Sequence, residues 1–204
     1  YEIGSGLVGS EMCIRDSTRT VTRKALIGAA ARILSPGCKH DHMLVLIGPQ
    51  GCRKSTTLKK LGKEWFSDSL YTMSGKDAYE QLQGFWIIEL SEMAATRKAE
   101  VEQIKQFVSK QEDNYRAAYA RRTQCHPRQC AFFGTTNDEE FLRDPTGARR
   151  FWPVVVTDAG KTLGDKLTAS IVDQIWAEAV TYYEAGETWY LDGAVEEMAR
   201  KVQA

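Results

Sequence analysis

Apolar positions along this chain come in two alternating patterns, short unbroken runs and longer segments at helical spacing. The unbroken runs are MLVLIG at 43–48, FWIIEL at 85–90, AFFGTT at 131–136 and FWPVVV at 151–156. Runs this short and this apolar suit strands buried on both faces of a parallel sheet. SLYTM at 69–73 is a weaker strand candidate. The first helix is expected over 20–34, where Leu26, Ile27, Ala30 and Leu34 share a face and Ser35-Pro36-Gly37 stops it. Further helices are expected over 54–66, 76–83 and 94–110. The last of these is amphipathic, with Val101, Ile104, Phe107 and Val108 on one side. Ile171, Ile175, Trp176, Ala179 and Tyr183 carry a helix over 167–184, and a final one is expected over roughly 193–202. Strands alternating with helices predict an α/β fold of three layers, a mostly parallel central sheet with flanking helices.

Residues 1–17, YEIGSGLVGSEMCIRDS, show neither period and resemble translated sequencing-adapter read-through; a flexible natural leader is the alternative. The patterned remainder, 18–204, is the length of one domain. Hydrophobic residues make up 43% of the chain, enough for a sizeable core. Lysine and arginine number 27 and so do the acids, so any nucleic-acid surface must come from local placement of charge. Cys13, Cys38, Cys52, Cys125 and Cys130 are an odd set, which fits reduced thiols in a cytoplasmic protein. No apolar run approaches the roughly 20 residues of a membrane helix.

Directly after the first unbroken run comes Gly48-Pro49-Gln50-Gly51-Cys52-Arg53-Lys54-Ser55, followed by Thr56. The stretch is close to the phosphate-binding pattern G-x-x-x-x-G-K-[ST], and it lies in the expected strand–loop–helix context. Such a loop aims backbone N–H groups at a triphosphate from a helix N-terminus. Lys54 would reach the β and γ phosphates of ATP, and Ser55 would ligate Mg²⁺. Arg53 stands where the pattern requires glycine, the residue that lets the backbone approach phosphate closely. An ordinary glycine turn with a solvated Lys54 is the plainer alternative.

The second run ends in Glu89, with Glu92 three residues on. Two carboxylates at the end of a strand can divide the work of an ATPase, one holding Mg²⁺ and the other orienting or deprotonating the attacking water. Glu89 is assigned to metal and Glu92 to water, though the roles are interchangeable on sequence. Asn137 follows the third run and could touch both the γ phosphate and the water, or simply close an Asx turn. Asp144-Pro145-Thr146-Gly147 presents Arg149 and Arg150, whose planar forks suit the charge developing on transferred phosphate, often across a subunit boundary. Between Asn114 and Cys130, NYRAAYARRTQCHPRQC holds four arginines, two tyrosines and no acid. Tyr115, Arg116, Arg121 and Arg122 are the candidates there for stacking on bases and tracking the phosphates of single-stranded DNA. The alternative for this polar stretch, with its few apparent core residues, is a solvated, mobile hairpin or loop. The Cys38–His42 and Cys125–Cys130 clusters lack zinc-site spacing.

In order, GPQGCRKST, FWIIELSE, the basic stretch, AFFGTTN and DPTGARRFWPV resemble the virulence-associated protein E family. These are proteins of phages and mobile genetic islands, with a P-loop NTPase (AAA+-like) domain similar to superfamily 3 helicases. The likeness covers roughly Ala25 onward. It implies a homo-oligomeric ring, a hexamer, that hydrolyses ATP at subunit interfaces and moves along single-stranded DNA in replication of the element. Lys54 and Ser55 match the first ATPase motif, Glu89 and Glu92 the acidic motif, Asn137 the sensor, and Arg149 or Arg150 the arginine finger. Arg116, Arg121 and Arg122 fall in the segment similar to the family's DNA-contacting region. Many relatives carry a primase-like N-terminal domain, so a primase or replication-initiation partner is expected. Arg53 departs from the family loop.

Overall fold

A computed structural model describes residues 5–91, 98–116, 120–137, 150–156 and 166–191, with side chains from residue 17 and, within its fourth helix, from residue 101. The elements run α1 (Ser5–Leu34), β1 (Met43–Ile47), α2 (Lys54–Gly62), a 3₁₀ turn (Lys63–Trp65), β2 (Phe66–Ser67), α3 (Gly75–Glu80) and β3 (Ile87–Leu90). They continue with α4 (Lys98–Val108), β4 (Glu112–Tyr115), β5 (Gln124–Pro127), β6 (Ala131–Thr136), β7 (Phe151–Val155) and α5 (Ala169–Glu184).

Five strands form one sheet in the order β2-β3-β6-β1-β7, and every neighbouring pair is parallel. Alternation along each strand divides the core in two. Met43, Val45, Ile47, Ile88, Leu90, Phe132 and Phe151 face α3 and α4, represented by Ala78, Ile104, Phe107 and Val108. Leu44, Leu46, Ile87, Phe133 and Trp152 face the other way, onto Val21, Ala25 and Ala29 of α1, Leu58 of α2 and Trp176 of α5. Two indole N–H groups tie this second layer down: Trp86 donates to the Ala29 carbonyl (2.8 Å) and Trp176 to the Leu61 carbonyl (3.0 Å). The chain is therefore the expected three-layer α/β fold.

Four details differ from the periodicity. α1 starts at Ser5, inside the stretch that lacks helical spacing, and ends at Leu34 as Ser35-Pro36-Gly37 predicts. α2 stops at Gly62 rather than at Phe66, because Lys63 turns to φ 50° and ends the helix. A Cβ on Gly62 would lie 2.8 Å from the Phe66 Cβ and 2.9 Å from the Ile87 Cβ, so glycine is what lets the chain double back onto β3. In place of the strand expected at 69–73 there is β2, which starts three residues earlier and is shorter, paired through Phe66–Ile87 and Ser67–Ile88. Finally, the polar stretch after α4 is an antiparallel hairpin, with Glu112 opposite Pro127 and Tyr115 opposite Gln124. The helix expected over 193–202 lies outside the described residues. Among the described residues no helix is long and apolar enough to cross a membrane.

Candidate functional site

Parallel strands deliver their loops to one end of the sheet, and the connections here leave β1 and β6 in opposite directions, the arrangement that opens a crevice at the strands' carboxyl ends. The loop after β1, Ser91 after β3 and Asn137 after β6 meet there around a pocket of about 340 Å³.

Two glycines shape the loop's backbone. Gly48 packs so closely under the carbonyl of Val156 that a Cβ would lie 2.3 Å from that oxygen. Gly51 takes φ 85° with open space around it. Arg53 takes φ 63° and ψ 31°, the left-handed conformation that glycine adopts without strain. Its side chain is exposed and lines the pocket. No side chain caps the start of α2 and no acid occupies its first turn, so the first N–H groups and their partial positive charge remain suited to an anion.

Lys54, 9% exposed, folds back on the loop. Its ammonium donates to the carbonyls of Gly48 (2.7 Å) and Pro49 (3.1 Å) and to Oδ1 of Asn137 (2.9 Å), with the Cys52 Sγ at 3.6 Å. Those bonds hold the strand-end asparagine beside the lysine, where the same three donors could meet phosphate oxygens. Glu89 lies on the α2 side of β3, 2% exposed. Its Oε1 accepts from Ser55 Oγ and from Thr135 Oγ1, both at 2.6 Å. Its Oε2 is buried and, among the described residues, has no hydrogen-bond partner. A hydroxyl beside a carboxylate with an unused oxygen is the hard donor set that Mg²⁺ takes, so Ser55 and Glu89 fit the metal assigned to them. Gln50, Cys52 and Thr56 belong to the same loop; Gln50 and Thr56 line the pocket, and Cys52 is buried beneath it.

Other assigned residues lie elsewhere. Glu92 and Arg149 fall outside the described residues. Arg150 immediately precedes β7, whose first residue pairs with Met43 at the start of β1. It therefore sits at the amino end of the sheet, roughly 20 Å from its own loop at about 3.3 Å per strand residue. Its Nε lies 3.9 Å from the Asp41 carboxylate. It cannot serve the loop of its own chain. Arg116, Arg121 and Arg122 are exposed at the free end of the β4–β5 hairpin, as a nucleic-acid contact requires.

Tyr115 requires correction: its ring is buried, stacked on His126 (4.4 Å between centroids) and tilted against Tyr79 (6.2 Å), so it is not offered to a base. The hairpin also has more core than its polarity suggests. Arg128 and Asp113, each 1% exposed, form a two-pronged ion pair at 2.7 and 2.8 Å, and the guanidinium lies over Phe107. Arg128 anchors the hairpin and does not track phosphate. The thiols flanking it differ: Cys125 donates to Glu112 at the surface, while burial pushes Cys130 up to about 11.

Thr135 escaped the sequence reading, although a signal existed. It follows Phe133 by two on the face that carries Glu89, a polar residue at the site end of an otherwise apolar strand.

Together these features define a three-layer α/β domain of the phosphate-loop type. The model of the virulence-associated protein E-like domain matches residues 10–204, and the chain belongs to that family. Among solved structures it is similar to the apo NrS-1 C-terminal region (305–718), at 14% identity and a TM-score of 0.50, covering 92% of this chain and 47% of that one. An A form of the apo NrS-1 C-terminal region gives 13% identity and a TM-score of 0.48 over 95% of this chain and 51% of that one. The chain thus spans about half the length of the structures it matches. No curated protein matches.

Proposed function

We propose that this domain is the ATP-dependent motor of a DNA helicase or translocase acting in replication of a phage or mobile genetic element. The observation that carries the reading is the convergence of Lys54, Ser55, Glu89 and Asn137 at the carboxyl ends of three adjacent parallel strands. ATP would lay its phosphates along the loop N–H groups and the start of α2, with Lys54 exchanging its loop carbonyls for phosphate oxygens. Ser55 and Glu89 would hold Mg²⁺, which would supply positive charge against the phosphates. Asn137 is positioned to orient the γ phosphate and the attacking water, and Glu92 is the proposed base.

Arg150 lies a strand's length from its own loop, so its proposed role requires a second copy. A head-to-tail ring brings the arginine end of one subunit to the loop of the next. The exposed Arg116, Arg121 and Arg122 give the ring its contact with single-stranded DNA. A primase or replication-initiation protein is the proposed partner.

The test is ATP turnover with and without single-stranded DNA, for the chain and for Lys54→Ala. DNA-stimulated turnover that vanishes in the variant is expected, because the substitution removes the cation nearest the γ phosphate. Turnover unchanged by Lys54→Ala would sink the assignment. The left-handed Arg53 favours a second reading, a nucleic-acid-binding module that has lost hydrolysis; DNA binding without turnover identifies it.

A further inference from the structure

We infer that Thr135 is a positioning residue for the metal, holding Glu89 in the rotamer that leaves one carboxylate oxygen free for the cation. The inference rests on the nucleotide reading above and adds a residue to its metal site.

Thr135 is 4% exposed, on β6 between Leu46 of β1 and the end of β3. An apolar residue would satisfy this place on packing grounds, because the same face carries Phe133, Leu44 and Leu46. The hydroxyl instead donates to Glu89 Oε1 at 2.6 Å, a short charge-assisted bond. Ser55 donates to the same oxygen at the same distance, from the opposite element. Two donors on one oxygen fix the plane of the carboxylate, while Oε2, buried and without a described partner, receives none. Burying a carboxylate oxygen unpaired is costly, and the asymmetry makes sense if Oε2 is reserved for a cation or its water.

The two donors are not equivalent. Ser55 sits in the first turn of α2 beside the loop, and its own oxygen is needed by the metal, so a bound metal would compete with Glu89 for it. Thr135 is built into a central strand bonded on both sides and cannot follow the loop. It is the donor that keeps Glu89 in place in both states. Residues that orient a metal's ligands in this way typically change its affinity by about 10–100-fold when removed.

The experiment titrates Mg²⁺ against binding of a fluorescent ATP analogue, with a parallel measurement in EDTA, for the chain, Thr135→Val and Thr135→Ser. Each is made with Arg53 and with Arg53→Gly, and Lys54→Ala serves as the control for the nucleotide site. Valine keeps the shape and removes the hydroxyl. The expected result is a Mg²⁺ midpoint about tenfold higher for Thr135→Val, unchanged affinity in EDTA, and restoration by serine. A midpoint that valine does not move, with binding still dependent on Lys54, overturns the role of Thr135 alone. An equal loss with Mg²⁺ and in EDTA, or no rescue by serine, makes Thr135 a packing residue and overturns it as well. Analogue binding that is absent, or indifferent to Lys54→Ala, removes the nucleotide reading and this inference with it.

Discussion

Replacing Arg53 by glycine separates what the loop's backbone costs from what its side chain does. The residue sits at φ 63° and ψ 31°, where an L side chain costs about 1–2 kcal/mol. Glycine removes that strain but loses about 0.5–1 kcal/mol through the extra freedom of its unfolded chain. The net gain is about 1.5 kcal/mol at most, and for a domain of this size each kcal/mol raises the melting temperature by roughly 2–4 °C. Arg53→Ala is the control, since alanine keeps the strain and discards the guanidinium. Thermal unfolding should therefore rank glycine above both arginine and alanine. Glycine melting no higher than alanine would refute the strain argument. Turnover of ATP with and without single-stranded DNA is measured on the same three proteins. Because the arginine side chain lines the pocket, glycine should turn over ATP faster, and DNA should stimulate it. If only glycine is active, the motor reading stands and Arg53 disables this loop. Equal activity would mean that the left-handed backbone alone preserves the phosphate cradle. No activity in any variant, under conditions that support ring assembly, would take the chemistry from the helicase reading.

Other substitutions probe the parts around the loop. Arg121→Ala with Arg122→Ala should weaken single-stranded DNA binding and flatten its salt dependence by about 0.7 for each phosphate no longer neutralised; an unchanged slope removes the hairpin tip from the DNA site. Asp113→Ala strands the buried Arg128 guanidinium and should cost about 3–5 kcal/mol in urea unfolding, whereas a loss under about 1 kcal/mol would show the pair to be dispensable. Gly28→Ala should destabilise the fold by about 1–3 kcal/mol, because the new Cβ would meet the His40 ring at 2.3 Å. His40 itself, 4% exposed, is pushed down to about 3 by burial first and then by Arg32 and His42. Free histidine titrates near 6.5, so between those values the unfolded chain binds a proton that the folded chain refuses. The neutral ring's contribution is then whole above about 6.5 and drains away as pH falls toward about 3. Urea midpoints at about pH 7.5 and about pH 5.0 should differ less for His40→Gln than for the parent; an equal difference would clear His40 of the acid sensitivity.

Where sequence periodicity succeeded and failed follows from what each element answers to. β1, β3 and β6 are central and buried along their length, so burial on both faces wrote continuous apolar runs that can be read directly, while β7, at the edge, is buried only at Phe151 and Trp152. β2 answers to two backbone pairings at an edge, and nothing in SLYTM could compete with the stop imposed by Gly62 and Lys63. The hairpin looked like solvated loop because its core is polar: Asp113 and Arg128 satisfy each other rather than water, a match that single residues do not advertise. The site shows the same division. Lys54, Ser55, Glu89 and Asn137 could be grouped from sequence because each closes or soon follows a predicted strand, and the topology gathers those strand ends. Tyr115 was misassigned because an aromatic among arginines looks alike whether it stacks on a base or on His126. Thr135 was hidden for the opposite reason. A threonine in a strand is expected on propensity alone, and only its 2.6 Å hydrogen bond to Glu89 distinguishes a donor aimed at a buried acid from ordinary strand filling. The residues hardest to read from sequence are thus those that work through another side chain. Neighbours in space, rather than in sequence, decide what such residues do.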